Sequence, residues 1–144
     1  MIDQLAKDLS QYRLKKANDL LSQAILLCDN QKYDGSINRS YYAILNAIRA
    51  VLALLDLDSS KHSGVLSYFD RYLVKTTIFD KKFSQIAHTA FDSRQDYDYE
   101  DFSEPNSNEA LNQINEAEVF IREVETKVIQ IINNEISISD LELP

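Results

Sequence analysis

Three short stretches of this chain gather side chains that bind anions or move protons. The first is a line of Arg39, Tyr42, Asn46 and Arg49, spaced three, four and three residues apart. On a helix such positions stack above one another. Two guanidiniums with an amide and a phenol between them suit a phosphate, an acidic peptide or a base edge. The plainer alternative is a solvated outer helix face partly covered by Tyr42. The second stretch is Lys61-His62-Ser63-Gly64, at the start of a short helical segment. Helix starts present unpaired N–H groups and a partial positive charge, so they favour anions. His62 there suits acid–base work or a phosphate contact; alternatively Ser60 or Ser63 caps the helix and His62 is only a neighbour. The third is Arg94-Gln95-Asp96-Tyr97-Asp98-Tyr99. Arg94 and Asp98 are four apart, which makes a local ion pair of little worth when exposed. In the functional reading the Asp98 carboxylate orients Arg94 toward a bound anion, with Tyr97 or Tyr99 as a stacking surface.

Other chemistries find less support. His62 and His88 lie on different segments, and His88 has Ser84, Gln85 and Asp92 as helical neighbours, so no metal-ligand spacing emerges. The single Cys28 excludes a disulfide framework within the chain and sits on an apolar stripe, reading as core rather than nucleophile. Acids clustered in a loop read as a solvated face rather than a two-carboxylate hydrolase. Neither a metal nor a cofactor is implied.

The elements that must position these residues are helical. The chain has 144 residues, one domain's worth, with only two Gly and two Pro. All-β sandwiches and phosphate-cradling glycine loops are therefore excluded. Apolar residues recur three and four apart in four segments: about Asp8 to Cys28, Ser36 to Leu55, Asp80 into the nineties, and Asn106 to Asn133. A shorter helix is predicted from Ser63 to Val74, with Val65, Leu66, Phe69 and Leu73 facing in. Asp34-Gly35-Ser36 reads as a turn and cap before the second helix, and Asp58-Ser59-Ser60 as the same before the short one. Pro105 fits the first turn of the last helix, behind Ser103 or Glu104. Period-two alternation occurs only briefly, at Ile136-Ser137-Ile138-Ser139. The expected fold is all-α, a four- to five-helix antiparallel up-and-down bundle over residues 1–134, with 135–144 a flexible acidic tail.

Charge is unevenly spread. The net charge is −8, but residues 92–109 hold seven acids against Arg94, and the segment after Asn133 holds three more. The remainder is close to neutral, so a local anion site is compatible with an acidic protein. With no cationic apolar leader and no apolar run near 18 residues, a cytoplasmic protein without a membrane span is expected.

Taken together, the three stretches resemble the HEPN family of small prokaryotic helical proteins, over about residues 8–130. Asn38-Arg39-Ser40-Tyr41-Tyr42-Ala43-Ile44-Leu45-Asn46-Ala47 is similar to the family's RxYYAMFHAA helix. Lys61-His62-Ser63-Gly64-Val65 is similar to its K-H-S/G-G-V/I helix start, and Arg94 to Tyr99 to its R-x-x-x-D-Y stretch. The resemblance implies an up-and-down bundle, commonly a two-fold homodimer. It also implies a minimal nucleotidyltransferase encoded nearby, some such pairs acting as toxin and antitoxin, while other members bind nucleotides or process RNA. Ribonuclease members carry a His separated from an Arg by four to six residues. After Arg94 those positions are Tyr99, Glu100 and Asp101, and the family's usual His in the first motif is Asn46 here.

The leading expectation is a nucleotide- or RNA-binding and partner-binding module that lacks the family's ribonuclease histidine and works with a nucleotidyltransferase protein. Arg39, His62 and Arg94 are expected on the anion, Tyr42, Asn46 and Tyr99 beside it, and Asp98 behind Arg94. The enzyme reading is a metal-independent ribonuclease toxin using Arg94 with His62 or Tyr99. The third reading is a purely structural helical dimerisation module with a solvated polar line. The acidic 92–109 region would screen the cleft from non-specific RNA or face a basic partner.

Overall fold

A computed structural model describes residues 2–99 and 104–144, with residues 96–99 described in backbone only. Among the described residues there are five α-helices and no strand: α1 (Gln4–Asp29), α2 (Tyr33–Leu54), α3 (His62–Phe69), α4 (Lys81–Tyr99) and α5 (Ser107–Ile132). The expected all-α bundle is what the chain forms. Contacts between α1 and α2 run in opposite directions, Ser36 meeting Ala24, Arg39 meeting Gln23 and Arg13 meeting Arg49, so these two helices form an antiparallel hairpin.

Helix α2 is the axis of the fold. Ile37, Tyr41, Ile44, Ile48, Val51 and Leu52 are buried, and so are Ala43, Ala47 and Ala50 on its other sides. The alanines let α1 approach closely through Ala17, Leu21, Ala24 and Cys28, while α4 and α5 cover the remaining faces. The line Arg39, Tyr42, Asn46 and Arg49 is partly solvated: Asn46 is buried, and Arg39, Tyr42 and Arg49 are half-buried. Phe69, Phe79, Phe83 and Phe120 fill the far side of the core, with ring centroids 5.1–5.8 Å apart.

Several element boundaries differ from the sequence reading, each for a local reason. Helix α1 starts earlier than Asp8 because the Asp3 carboxylate accepts from the Ala6 N–H at 2.8 Å. Asp34-Gly35-Ser36 is not the turn before α2 but part of its first turn. Residues 30–32 make the reversal, with Gln31 in the left-handed region at φ 63°. The Ser36 hydroxyl, instead of capping, is buried and donates to the Ala24 carbonyl at 2.8 Å. Neither Ser60 nor Ser63 caps α3, whose N-cap is Lys61 with no side-chain bond. Pro105 lies before α5 rather than in its first turn, because Asn106 is the cap, accepting from the Glu109 N–H at 2.9 Å. The short helix predicted to reach Val74 ends at Phe69 and passes into a π-turn, Asp70–Val74, where the Lys75 N–H bonds to the Asp70 carbonyl at 2.9 Å.

The segment 135–144, expected as a flexible acidic tail, lays Ile136, Ile138, Leu141 and Leu143 against the core as half-buried residues. No helix among the described residues is long and apolar enough to cross a membrane.

Gly64 is required by a close approach rather than by backbone conformation. A Cβ there would lie 2.1 Å from Ser59 Oγ and 2.9 Å from Ser59 Cβ. That same Oγ accepts from the Lys61 N–H at 3.3 Å and shapes the chain entering α3. Gly64→Ala is expected to destabilise the protein by ~1–2 kcal/mol in urea unfolding, overpacking outweighing alanine's better helix propensity. Adding Ser59→Gly should recover much of that loss; a neutral or stabilising single substitution would show that the contact is not limiting.

Candidate functional site

A phenol on the apolar stripe of a buried helix needs a hydrogen-bond partner. Tyr41 is 1% exposed, and its hydroxyl lies 2.9 Å from Nδ1 of His62, the first residue of α3. Tyr42, next on α2, presents its ring edge-on to Tyr41 with centroids 5.0 Å apart. The His62 ring sits 5.7 Å from Tyr41 and 5.6 Å from Tyr42.

Arg94 reaches the same two rings from α4. Its guanidinium carbon lies 4.9 Å from the Tyr41 centroid, and 5.9 Å from those of Tyr42 and Phe91. Phe91 is three residues earlier on α4 and so shares a face with Arg94. Arg94 is only 7% exposed. Burying a guanidinium is costly unless something replaces its water, and desolvated cation–π contacts of ~2 kcal/mol partly do so.

The three ionisable groups divide their protons asymmetrically. Burial lowers the His62 pKa below its ordinary 6.5, and the Arg94 and Arg49 charges push the same way. Burial pushes the Tyr41 phenol up, opposed by Arg94 and reinforced by Tyr42. At neutral pH the box therefore holds a neutral imidazole, a protonated phenol and one permanent positive charge.

Two anchors hold α3, which carries His62, against its neighbours. Before it, Asp58 takes Arg49 at 3.1 Å and Arg13 at 3.5 Å, while Arg13 also donates to the Arg49 carbonyl at 3.0 Å. Partial burial works to raise the Asp58 carboxyl, but the Ser59 N–H and the two guanidiniums outweigh it and hold it below the usual range. After α3, Asp70 in the π-turn accepts from Ser84 Oγ at 2.6 Å and pairs with His88 Nε2 at 2.7 Å. Both Ser84 and His88 lie on α4, so the π-turn is tied to the helix that carries Arg94.

Of the residues singled out from sequence, the structure brings Tyr42, His62 and Arg94 together. Arg39 is engaged elsewhere, donating from Nε to Gln23 at 3.0 Å and from Nη1 to Asn38 at 2.7 Å. Asn46 donates back to the Tyr42 carbonyl at 2.8 Å. The side chains of Asp98 and Tyr99, together with residues 100–103, lie outside the described residues. Tyr41 and Phe91 fall on apolar helical stripes, and Arg13 lies outside the three motif stretches, so none of them stands out in the sequence as a site residue. The signal for Tyr41 was a hydroxyl on an otherwise apolar stripe.

The direction of the His62 shift has a direct consequence. The imidazole should titrate below 6.5 by NMR, and Arg94→Gln should move it back toward that value. Because the folded pKa is the lower one, stability from this group is present above pH 6.5 and is lost as pH falls through the folded pKa. A midpoint at or above 6.5 in the folded protein would contradict this electrostatic account.

Residues 10–127 match the HEPN domain. A "UPF0332 protein" of Thermotoga maritima is 33% identical over 80% of this chain and 87% of its own length. The Methanocaldococcus jannaschii protein named "Putative toxin MJ0605" is 30% identical over 85% of this chain and 90% of its own. A second protein of that organism, MJ0142, bears the same description and is 27% identical over 81% of this chain and 79% of its own. The match spans all three motif stretches and the helices that hold them: this chain belongs to the HEPN domain family.

Proposed function

We propose that the Tyr41–Tyr42–His62–Arg94 box binds the phosphate of a nucleotide or RNA strand. The chain would act as a homodimeric HEPN module beside a nucleotidyltransferase-domain partner, as in a toxin–antitoxin or regulatory pair. The observation that carries this is the convergence of Arg94 and His62, 32 positions apart in the chain, on the same two tyrosine rings. A guanidinium fixed by stacking loses little freedom on meeting a phosphate. The neutral imidazole beside it offers hydrogen bonding without a second desolvated charge. The toxin designation of two relatives supports a role acting on or with other cellular molecules.

Binding is tested with a fluorescein-labelled single-stranded RNA at two salt concentrations. Arg94→Gln is expected to weaken binding about tenfold, ~1.4 kcal/mol, and to flatten the salt dependence. His62→Gln is expected to weaken it less. Equal affinities for all three proteins would refute the site.

A second reading, a metal-independent ribonuclease, is favoured by the depressed His62 pKa. A neutral imidazole at pH 7 can take the proton of an attacking 2′-hydroxyl. As the O2′–P bond forms, the P–O5′ bond breaks and the 5′-oxygen leaves with a proton from water, while Arg94 faces the charge gathering on the phosphate. Tyr99 is the other candidate for that proton. In metal-free buffer this reading requires RNA cleavage that His62→Gln abolishes and Tyr99→Phe leaves intact. The reverse pattern assigns the role to Tyr99, and intact RNA with wild-type protein leaves binding as the function.

A further inference from the structure

The opposite end of the bundle carries a second concavity, unrelated to the aromatic box. A cavity of about 620 Å³ opens between the first turns of α1, the C-terminal turn of α2 and the segment after α5. Its size lies in the range of ~300–1,000 Å³ usual for ligand sites. Leu5 and Leu9 line it from α1, 78% and 39% exposed, and Ile138 and Leu141 line it from the C-terminal segment. Tyr12, 64% exposed, continues the Leu5–Leu9 row at helical spacing. These three side chains extend the apolar surface of the cavity along α1 into solvent.

The charged side chains that line the cavity have one sign. Asp3 and Asp56 are among its lining residues, which include no Lys or Arg. Glu135, Asp140 and Glu142 are exposed and alternate with the residues that line it from the C-terminal segment. No Lys or Arg follows Lys127 in the sequence. An apolar floor with a carboxylate rim selects among occupants. A second copy of the chain would set carboxylate against carboxylate, and nucleic acid or an anionic membrane would meet repulsion. A helix with an apolar face flanked by Lys or Arg satisfies both floor and rim, its anchors three and four residues apart entering the groove.

We propose that this groove docks a basic amphipathic helix of a partner protein, independently of what the aromatic box binds. The test pans the full chain against a displayed library of helical peptides, counter-selecting with Leu5→Asp, whose exposed position leaves the core untouched. Selected peptides are then measured by fluorescence anisotropy. They are expected to be net positive, with apolar residues three and four apart, and to bind Leu5→Asp at least tenfold more weakly. The triple substitution Asp56→Asn, Asp140→Asn and Glu142→Gln should weaken binding several-fold and make it less sensitive to salt. Asn at position 56 suits the left-handed backbone there, φ 56°. Circular dichroism checks that each variant keeps its helices. Selection of acidic or neutral peptides, or of none, overturns the proposal. So does a wild-type dimer that Leu5→Asp dissociates in sedimentation, which assigns the face to a second copy.

Discussion

The structure depends on burying most of the surface of α2. A helix in that position is enclosed by neighbours, and a polar group it carries is costly to bury without a partner inside the protein, although Ser40 Oγ has none. The Ser36 hydroxyl finds the Ala24 carbonyl, and the Tyr41 hydroxyl finds His62. The second contact matters more, because it requires α3 to begin where its first side chain meets the phenol. A demand of core packing thus places an ionisable group at the edge of the bundle.

The same enclosure explains the state of Arg94. Helix α4 covers α2 where the two tyrosines emerge, so an arginine on that face lies over aromatic rings with little access to water. Its charge then acts through a low dielectric on His62, adding to the effect of burial and keeping the imidazole neutral. The box holds a single positive charge because its geometry makes a second one expensive. Its rigidity comes from outside: Asp58 binds the approach to α3 to the α1–α2 hairpin, and Asp70 binds its exit to α4.

Charge separates the two ends of the molecule's chemistry. The aromatic box brings together Arg94 and His62, whereas the charged residues lining the groove beside Leu5 are the carboxylates Asp3 and Asp56. An acidic net charge therefore describes the average of surfaces with opposite preferences. Net charge constrains solubility and long-range association, while a site is governed by the few groups within a Debye length of it.

The sequence by itself determined the helices, the all-α bundle and the family, because apolar periodicity, scarce Gly and Pro, and motif order are all local or one-dimensional properties. It also marked Tyr42, His62 and Arg94, whose types and helix positions carry chemical meaning without coordinates. Periodicity alone could not say that Asn46, opposite the core stripe of α2, is buried, since how far a helix is covered depends on how many neighbours close around it. Only the tertiary structure turned Tyr41 from a core residue into the hydrogen-bond partner of His62, and engaged Arg39 with Gln23 rather than with the aromatic box. It also placed the Asp34-Gly35-Ser36 sequence inside a helix, where burial of Ser36 against α1 outweighed its preference for a cap. The physical reason is common to all three: each outcome is decided by a partner more than ten residues away, and such long-range pairings follow from packing rather than from local sequence.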